Sequence, residues 1–277
     1  MAHTIHRATR RFLLWPSSRP APALWPDIPQ FGHLINDDVH MANELTVATY
    51  NLHHCQGLDG IVDIDRAARV LSGVGAEVVG FQEIDDGLTR SGGANQAAEL
   101  GERLGHEIAF HPTLERGGGR YGLGFAAGGN VETHFERLPR RGDEEQRGAI
   151  VARANGVWFV VTHLSTDRIS RATQTRALAS IASGLDGPVL VMGDLNQSGG
   201  SLGPLAEAGL VSDGLRHGTL QHSLPGGLLR VLGVVGLPRP KHLDHVLAGG
   251  GARVVRSWTV ASDASDHLPL VAEIRVS

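Results

Sequence analysis

The chain is predicted to fold as an α/β protein with two facing sheets and helices on their outer sides. The first observation behind this is the order of elements. Short apolar runs of strand character alternate with helical-period segments as β-α-β-α-β-β and then β-β-α-β-loop-β-β-β. The second is that these two runs form similar halves, meeting near residues 142–148. The third is capacity: 277 residues, 41% of them hydrophobic, suffice for one large core, and length alone does not force a second domain.

The elements follow from local pattern. Residues 45–50 alternate and are rich in β-formers, so they read as a strand. Residues 63–71 place Ile64, Ala67, Ala68 and Leu71 on one helical face and end at Gly73. Residues 77–81 are a short buried strand, and residues 94–104 a helix closed by Gly105. Residues 106–110 and 121–127 read as strands around the Gly117-Gly118-Gly119 loop. Residues 149–153 and 157–162 form a hairpin turned by Ala154-Asn155-Gly156. Residues 167–183 give the longest helix, and residues 188–192 a fully apolar strand. Residues 198–240, rich in Gly, Pro and Leu, read as irregular, and residues 243–248, 253–260 and 268–276 as closing strands.

Residues 1–40 differ from the rest. Pro16, Pro20, Pro22, Pro26 and Pro29 break any helix, and no hydrophobic period is sustained. They are expected to be a disordered extension, or translation begun upstream of a start at Met41, with the domain spanning residues 41–277. Thr9-Arg10-Arg11-Phe12-Leu13-Leu14 faintly resembles a twin-arginine signal, but Pro16 and Arg19 interrupt the apolar stretch that should follow. A cytoplasmic location is therefore expected. No apolar run reaches the roughly 18 residues that a transmembrane helix needs. The formal net charge of −4 gives no global electrostatic case for nucleic acid. Cys55 is the one cysteine, which excludes an intrachain disulfide and a cysteine-based zinc cluster.

Chemistry concentrates at strand ends. Thr49-Tyr50-Asn51, Gln82-Glu83, Thr162-His163-Leu164, Gly193-Asp194-Leu195-Asn196, Leu243-Asp244-His245 and Ser265-Asp266-His267 each put a metal-type or proton-transfer residue beside an apolar strand. A strand needs apolar residues to bury and has no need of an acid, an amide or an imidazole at its end. Several in one chain point to a single site assembled from many strand ends. Glu83 suits a hard cation such as Mg²⁺ or serves as a turn acid; Asn51 suits the same ion or an ordinary Asn turn. Asp194 and Asn196, two apart on extended backbone, point the same way and can hold a water, unless they form an Asx-turn. Adjacent Asp266 and His267 diverge, which assigns Asp266 toward metal and His267 toward substrate. His267 needs an orienting partner, and Asp244 is the best placed in sequence. His163 is a second imidazole, of a kind often merely structural. Gly199-Gly200-Ser201-Leu202-Gly203 matches a nucleophile-elbow pattern, but too many residues separate Ser201 from its strand for a serine hydrolase to be preferred.

Taken in order, these strings resemble the endonuclease/exonuclease/phosphatase superfamily over about residues 45–276. Tyr50-Asn51-Leu52-His53-His54, Arg90-Ser91-Gly92-Gly93 and Arg147-Gly148-Ala149 are similar to a small bacterial subgroup. The resemblance implies a four-layer sandwich of two mixed β-sheets flanked by helices, as in pancreatic deoxyribonuclease. It implies Mg²⁺, with Mn²⁺ as a substitute, at Asn51 and Glu83 with Asp266 nearby. Asp194, helped by Asn196, would align or deprotonate the attacking water. His267, held by Asp244, and His163 would contact the scissile phosphate, and Arg90, Tyr121 and Arg147 would bind substrate. The implied protein is a monomeric phosphoesterase acting on a phosphorylated small molecule, a lipid or a nucleic acid. The competing reading is a catalytically inactive binding module on the same fold. The chain departs from the subgroup at Leu123, at Ala127-Gly128 and at Asn95-Gln96.

Overall fold

The structure is a computed structural model and describes residues 44–129, 131–198, 202–221 and 241–277. The expectations for residues 1–40 and for Ser201 lie outside the described residues. In chain order the elements are β1 (Glu44–Asn51), α1 (Ile64–Val74), β2 (Val78–Asp86), α2 (Gln96–Leu104), β3 (Ala109–Arg116), β4 (Gly119–Ala127), β5 (Glu132–Arg137), β6 (Gly148–Ala154), β7 (Val157–His163), α3 (Arg168–Ser183), β8 (Val189–Asp194), α4 (Gly203–Glu207), β9 (Asp244–Gly249), β10 (Ala252–Thr259) and β11 (Leu270–Val276).

Two mixed sheets form, one of six strands in the order β10-β11-β1-β2-β4-β3 and one of five in the order β5-β6-β7-β8-β9. Each contains a single parallel pair. β1 runs parallel to β2 and β7 parallel to β8, and every other pairing is antiparallel. The parallel pairs are the ones whose connection carries a long helix, α1 in one sheet and α3 in the other, as a crossover requires.

Three apolar clusters separate four layers. Val47, Val78, Phe125, Ile150, Phe159 and Leu190 fill the space between the sheets. Ala67, Leu71 and Leu100 of α1 and α2 pack on Tyr50 and Phe81 at the outer face of the six-stranded sheet. Leu178, Ala182 and Leu205 of α3 and α4 pack on Val160 and Val191 at the outer face of the other. Asp63, Asn95 and Asp167 cap the three long helices by accepting from backbone N–H groups of the first turn. Among the described residues no helix is long and apolar enough to cross a membrane.

The differences from expectation have local causes. Helix α1 runs past Gly73 and closes at left-handed Gly75. Helix α2 starts at Gln96, because Asn95 is its cap rather than part of the helix. Strand β3 begins at Ala109 rather than at residue 106, because the His106 N–H is spent on Gly101 O at the end of α2 (3.1 Å). Strand β2 continues to Asp86 through a bulge between Phe81 and Ile84. Strand β5 gave no apolar run to find: it is an edge strand whose outward positions are Glu132, His134 and Glu136. Within the segment expected to be irregular, residues 203–207 form α4 with Pro204 in its first turn.

Gly193, next to the end of β8, has φ +143°, and a Cβ there would lie 2.0 Å from Thr162 O of the neighbouring strand. Replacing Gly193 with Ala is therefore expected to destabilise the fold by more than about 2 kcal/mol. Denaturant unfolding measures it, and a midpoint within error of wild type would contradict the close approach.

Candidate active site

The carboxyl ends of both parallel pairs lie at one edge of the sandwich, where open α/β sheets place their ligands. Asn51 ends β1 and Glu83 lies on the neighbouring β2; His163 ends β7 and Asp194 ends β8. His163 and Asp194 are register partners, as are Asp194 and Asp244 at the start of antiparallel β9. Register alone thus brings three strand-end residues of the five-stranded sheet to one place.

The bulge in β2 aims Glu83. Its φ of +62° is left-handed, a conformation that costs a non-glycine residue roughly 1–2 kcal/mol. Glu83 therefore sits within the strand, not beyond its end. Asn51 then ties the sheets together. Its Nδ2 donates to Glu83 Oε1 at 3.0 Å and to Asp194 Oδ2 at 3.2 Å, and its Oδ1 accepts from His53 N at 3.0 Å. Behind it, the buried Thr49 hydroxyl and Gln82 amide bond each other across β1 and β2. The Ser265 hydroxyl donates to Asn51 O (2.8 Å) and accepts from His267 N (3.1 Å), which fixes the loop carrying Asp266 and His267.

The expected pairing of His267 with Asp244 is present: Nδ1 lies 2.8 Å from Asp244 Oδ2, with both side chains buried. The other imidazole nitrogen, Nε2, lies 3.8 Å from Asp194 Oδ2, and His163 Nε2 lies 3.5 Å from the same oxygen. Burial opposes charge on His267, but the Asp244 carboxylate, by charge and hydrogen bond, with Asp194 and Asp266 adding, raises it to about 10. Burial also works against the Asp244 carboxylate, and the charge and bond of His267 override it, holding it below its ordinary value. Asp194 is raised to about 7 by burial and then by the Asp244 charge. His163 is pushed well below its ordinary value by burial, then by Arg147 and His267, so it is neutral.

Asn196 corrects one expectation. It is not on extended backbone (φ +51°); its N–H donates to Asp194 Oδ1 at 2.8 Å as an Asx-turn, and its Nδ2 donates to Leu164 O at 2.9 Å. It therefore holds Asp194 through the backbone and pins the β7 end. Asp266 is half-exposed, and its Oδ1 lies 3.7 Å from His53 Nδ1. Arg90 forks onto the fully buried Asp85 (2.8 and 2.7 Å), and its guanidinium lies over the Tyr121 ring at 5.3 Å. Arg147 lies 3.3 Å from Glu145. Burial pushes the Tyr121 hydroxyl up, and the charges of Glu83 and Arg147 act on it, so Tyr121 and Arg147 border the Glu83 side of the site. Leu123 belongs to the core between the sheets. Gln96 bridges the site's flank: its Nε2 donates to His54 O and its Oε1 accepts from Asp85 N.

Two residues near the centre, Asp85 and Glu145, escaped sequence reasoning, and two more, His53 and Ser265, stood inside quoted motifs without a role of their own. Asp85 reads as a turn acid because Asp86 and Gly87 follow it. The signal for it was Arg90-Ser91, both of which bond its carboxylate.

A hard divalent cation suits Asn51, Glu83 and Asp266. All three offer oxygen donors. Among the described residues neither carboxylate has an arginine or lysine within 4.0 Å, whereas Asp85, Asp86 and Glu273 each hold an arginine. Asp194, Asp244 and His267 also place one ligand atom each within 4.8 Å of one another and can hold a metal ion. In that cluster, however, the imidazole is already charged and bonded to Asp244, which works against a second cation there.

Residues 48–267 match the Endonuclease/Exonuclease/phosphatase family. Among proteins with curated descriptions no sequence matches. Solved structures share the fold. An endonuclease/exonuclease/phosphatase from Beutenbergia cavernae superposes with a TM-score of 0.68 at 22% identity, covering 85% of this chain and 72% of that one. One from Bacteroides vulgatus gives 0.64 at 17% identity, covering 84% and 99%. D. rerio TDP2, solved with a single-strand DNA product, gives 0.59 at 15% identity, covering 84% and 99%.

The Asp244–His267 pair yields a pH prediction. A folded value raised from 6.5 to about 10 contributes stability that is fully present below pH 6.5 and lost as pH rises toward 10. In metal-free protein the wild-type stability advantage over Asp244→Asn should shrink across that window. Imidazole NMR should show His267 titrating near the top of it in wild type and far lower in the variant. A wild-type midpoint below 7 would contradict the pairing.

Proposed function

Because the chain belongs to the endonuclease/exonuclease/phosphatase family, we propose that it hydrolyses a phosphoester by in-line attack of water, with Mg²⁺ as its cofactor and Mn²⁺ able to replace it. The observation that carries this reading is the convergence on Asn51. One amide holds a carboxylate from each sheet, Glu83 and Asp194, with the charged His267 beside the second.

Asn51, Glu83 and Asp266 would hold the cation, which when bound supplies charge stabilisation at the phosphoryl oxygens. Asp194 takes the proton of the attacking water; a carboxyl raised to about 7 is suited to proton transfer near neutral pH. Asn196 fixes its orientation through the Asx-turn. Asp244 occupies His267 Nδ1, which leaves Nε2–H to donate to the phosphoryl oxygen as its charge grows. Neutral His163 supplies a further hydrogen bond without charge. Arg147 and Tyr121 flank the same space and would contact the phosphate, whereas Arg90, neutralised by Asp85, acts through its plane and position. The substrate is a phosphorylated small molecule, a lipid or a nucleic acid.

Mg²⁺-stimulated hydrolysis of bis(p-nitrophenyl) phosphate tests the reading. Glu83→Gln should lower kcat by about 100-fold or more, with the melting temperature nearly unchanged. Near wild-type turnover at saturating Mg²⁺ would remove Glu83 from the site. An inert wild-type protein would favour a binding module on the same fold.

A further inference from the structure

A hollow of about 290 Å³ opens next to the site, between the turn at Leu88–Arg90 and the β3–β4 hairpin. Leu88, Leu114 and Tyr121 form its apolar walls, and Arg90 and Arg116 bring guanidinium groups to it. Tyr121 is the shared wall: its ring lines the hollow, while its hydroxyl feels the charges of Glu83 and Arg147 on the catalytic side. The hollow is therefore the space open to the substituent of a phosphate held on the Glu83 side of Tyr121.

Arg90 decides what the space can take. Its guanidinium is gripped on two nitrogens by buried Asp85 and backed by the Tyr121 ring. The pairing neutralises its charge and fixes its plane. What remains for a ligand is a flat, rigid, polarisable surface, which favours stacking over ion pairing. A polyol needs hydrogen-bond groups that converge on it, and here Thr89 and the two arginines are set among leucine side chains and a ring, with the Arg90 donors directed at Asp85. A long acyl chain needs a deeper channel than 290 Å³ provides. A heteroaromatic ring fits both the volume and the platform, since bases stack on aromatic and guanidinium planes.

We propose that this hollow is a base subsite, in which the nucleobase attached to the scissile phosphate stacks on the Arg90–Tyr121 platform between Leu88 and Leu114. The proposal rests on the phosphoesterase reading and narrows its substrate to a nucleotide ester, whether free or at the end of a strand.

The test compares three Mg²⁺-dependent substrates that release the same group: methyl p-nitrophenyl phosphate, thymidine 5′-(p-nitrophenyl phosphate), and an octathymidylate carrying the same 5′ ester. The thymidine ester should exceed the methyl ester in kcat/KM by about tenfold, mainly through KM, as one stacked base contributes. Leu114→Glu should bring that ratio close to one, and so should Leu88→Ser. Because the ratio is taken on one preparation, partial unfolding cancels. A further gain with the octathymidylate assigns the subsite to a strand end; no further gain assigns it to a mononucleotide; either supports the subsite. Equal rates for the methyl and thymidine esters, or a thymidine advantage that survives both variants, would overturn it. Failure to hydrolyse any of the three would instead overturn the phosphoesterase reading.

Discussion

The site depends on one small group, the amide of Asn51. Two carboxylates that repel each other, one from each sheet, share its Nδ2 at 3.0 and 3.2 Å. The amide has a fixed place because β1 is held on both sides, by β2 and β11, and because Ser265 bonds its backbone oxygen. A convergence of two acids, one of them buried, is unfavourable on its own, so it must be enforced by the rest of the fold. The inter-sheet core supplies that enforcement: Val47, Val78, Phe159 and Leu190 pack the two parallel pairs face to face, and their carboxyl ends have one edge to share.

Strain and unfavourable charge gather at the same edge. Glu83, Asn196 and the run His53-His54-Cys55 all have positive φ without being glycine. Glu83 is itself assigned to chemistry, Asn196 follows Asp194 by two residues and the run from His53 to Cys55 begins two residues after Asn51, and packing elsewhere offsets the cost. The acid–imidazole cluster shows the same economy of arrangement. Asp244 is fully buried and holds His267 charged, and that charge in turn tempers the burial of Asp194. Asp244 is held down and His267 up, so the buried pair stays ionised.

Much of this was legible in sequence. Two facing sheets with helices outside followed from the alternation of apolar strands and helical segments, the four-layer sandwich from the family resemblance, and the strand-end motifs named Asn51, Glu83, His163, Asp194, Asp244 and His267, which the fold brings together. What escaped depends on long-range geometry. The bulge that places Glu83 inside β2 leaves no period in sequence, since it is a register shift against β4. Edge strand β5 lacks an apolar stripe because its outward positions are charged or polar. Asp85 was hidden in a string that reads as a turn, and its burial is explained only by Arg90, Ser91 and Gln96 closing over it. Asn196 was expected beside Asp194 on a strand; the chain instead turns there, and the backbone N–H does the holding.

On the proposed function, the cation and the acid–imidazole cluster occupy separate places. Anomalous diffraction from crystals grown with Mn²⁺ tests it most directly. A peak is expected within coordination distance of Glu83, Asn51 and Asp266, about 2.1–2.3 Å from their oxygens, with the Asp244–His267 bond intact. A peak enclosed by Asp194, Asp244 and His267, with the imidazole turned from Asp244 to the metal, would contradict it.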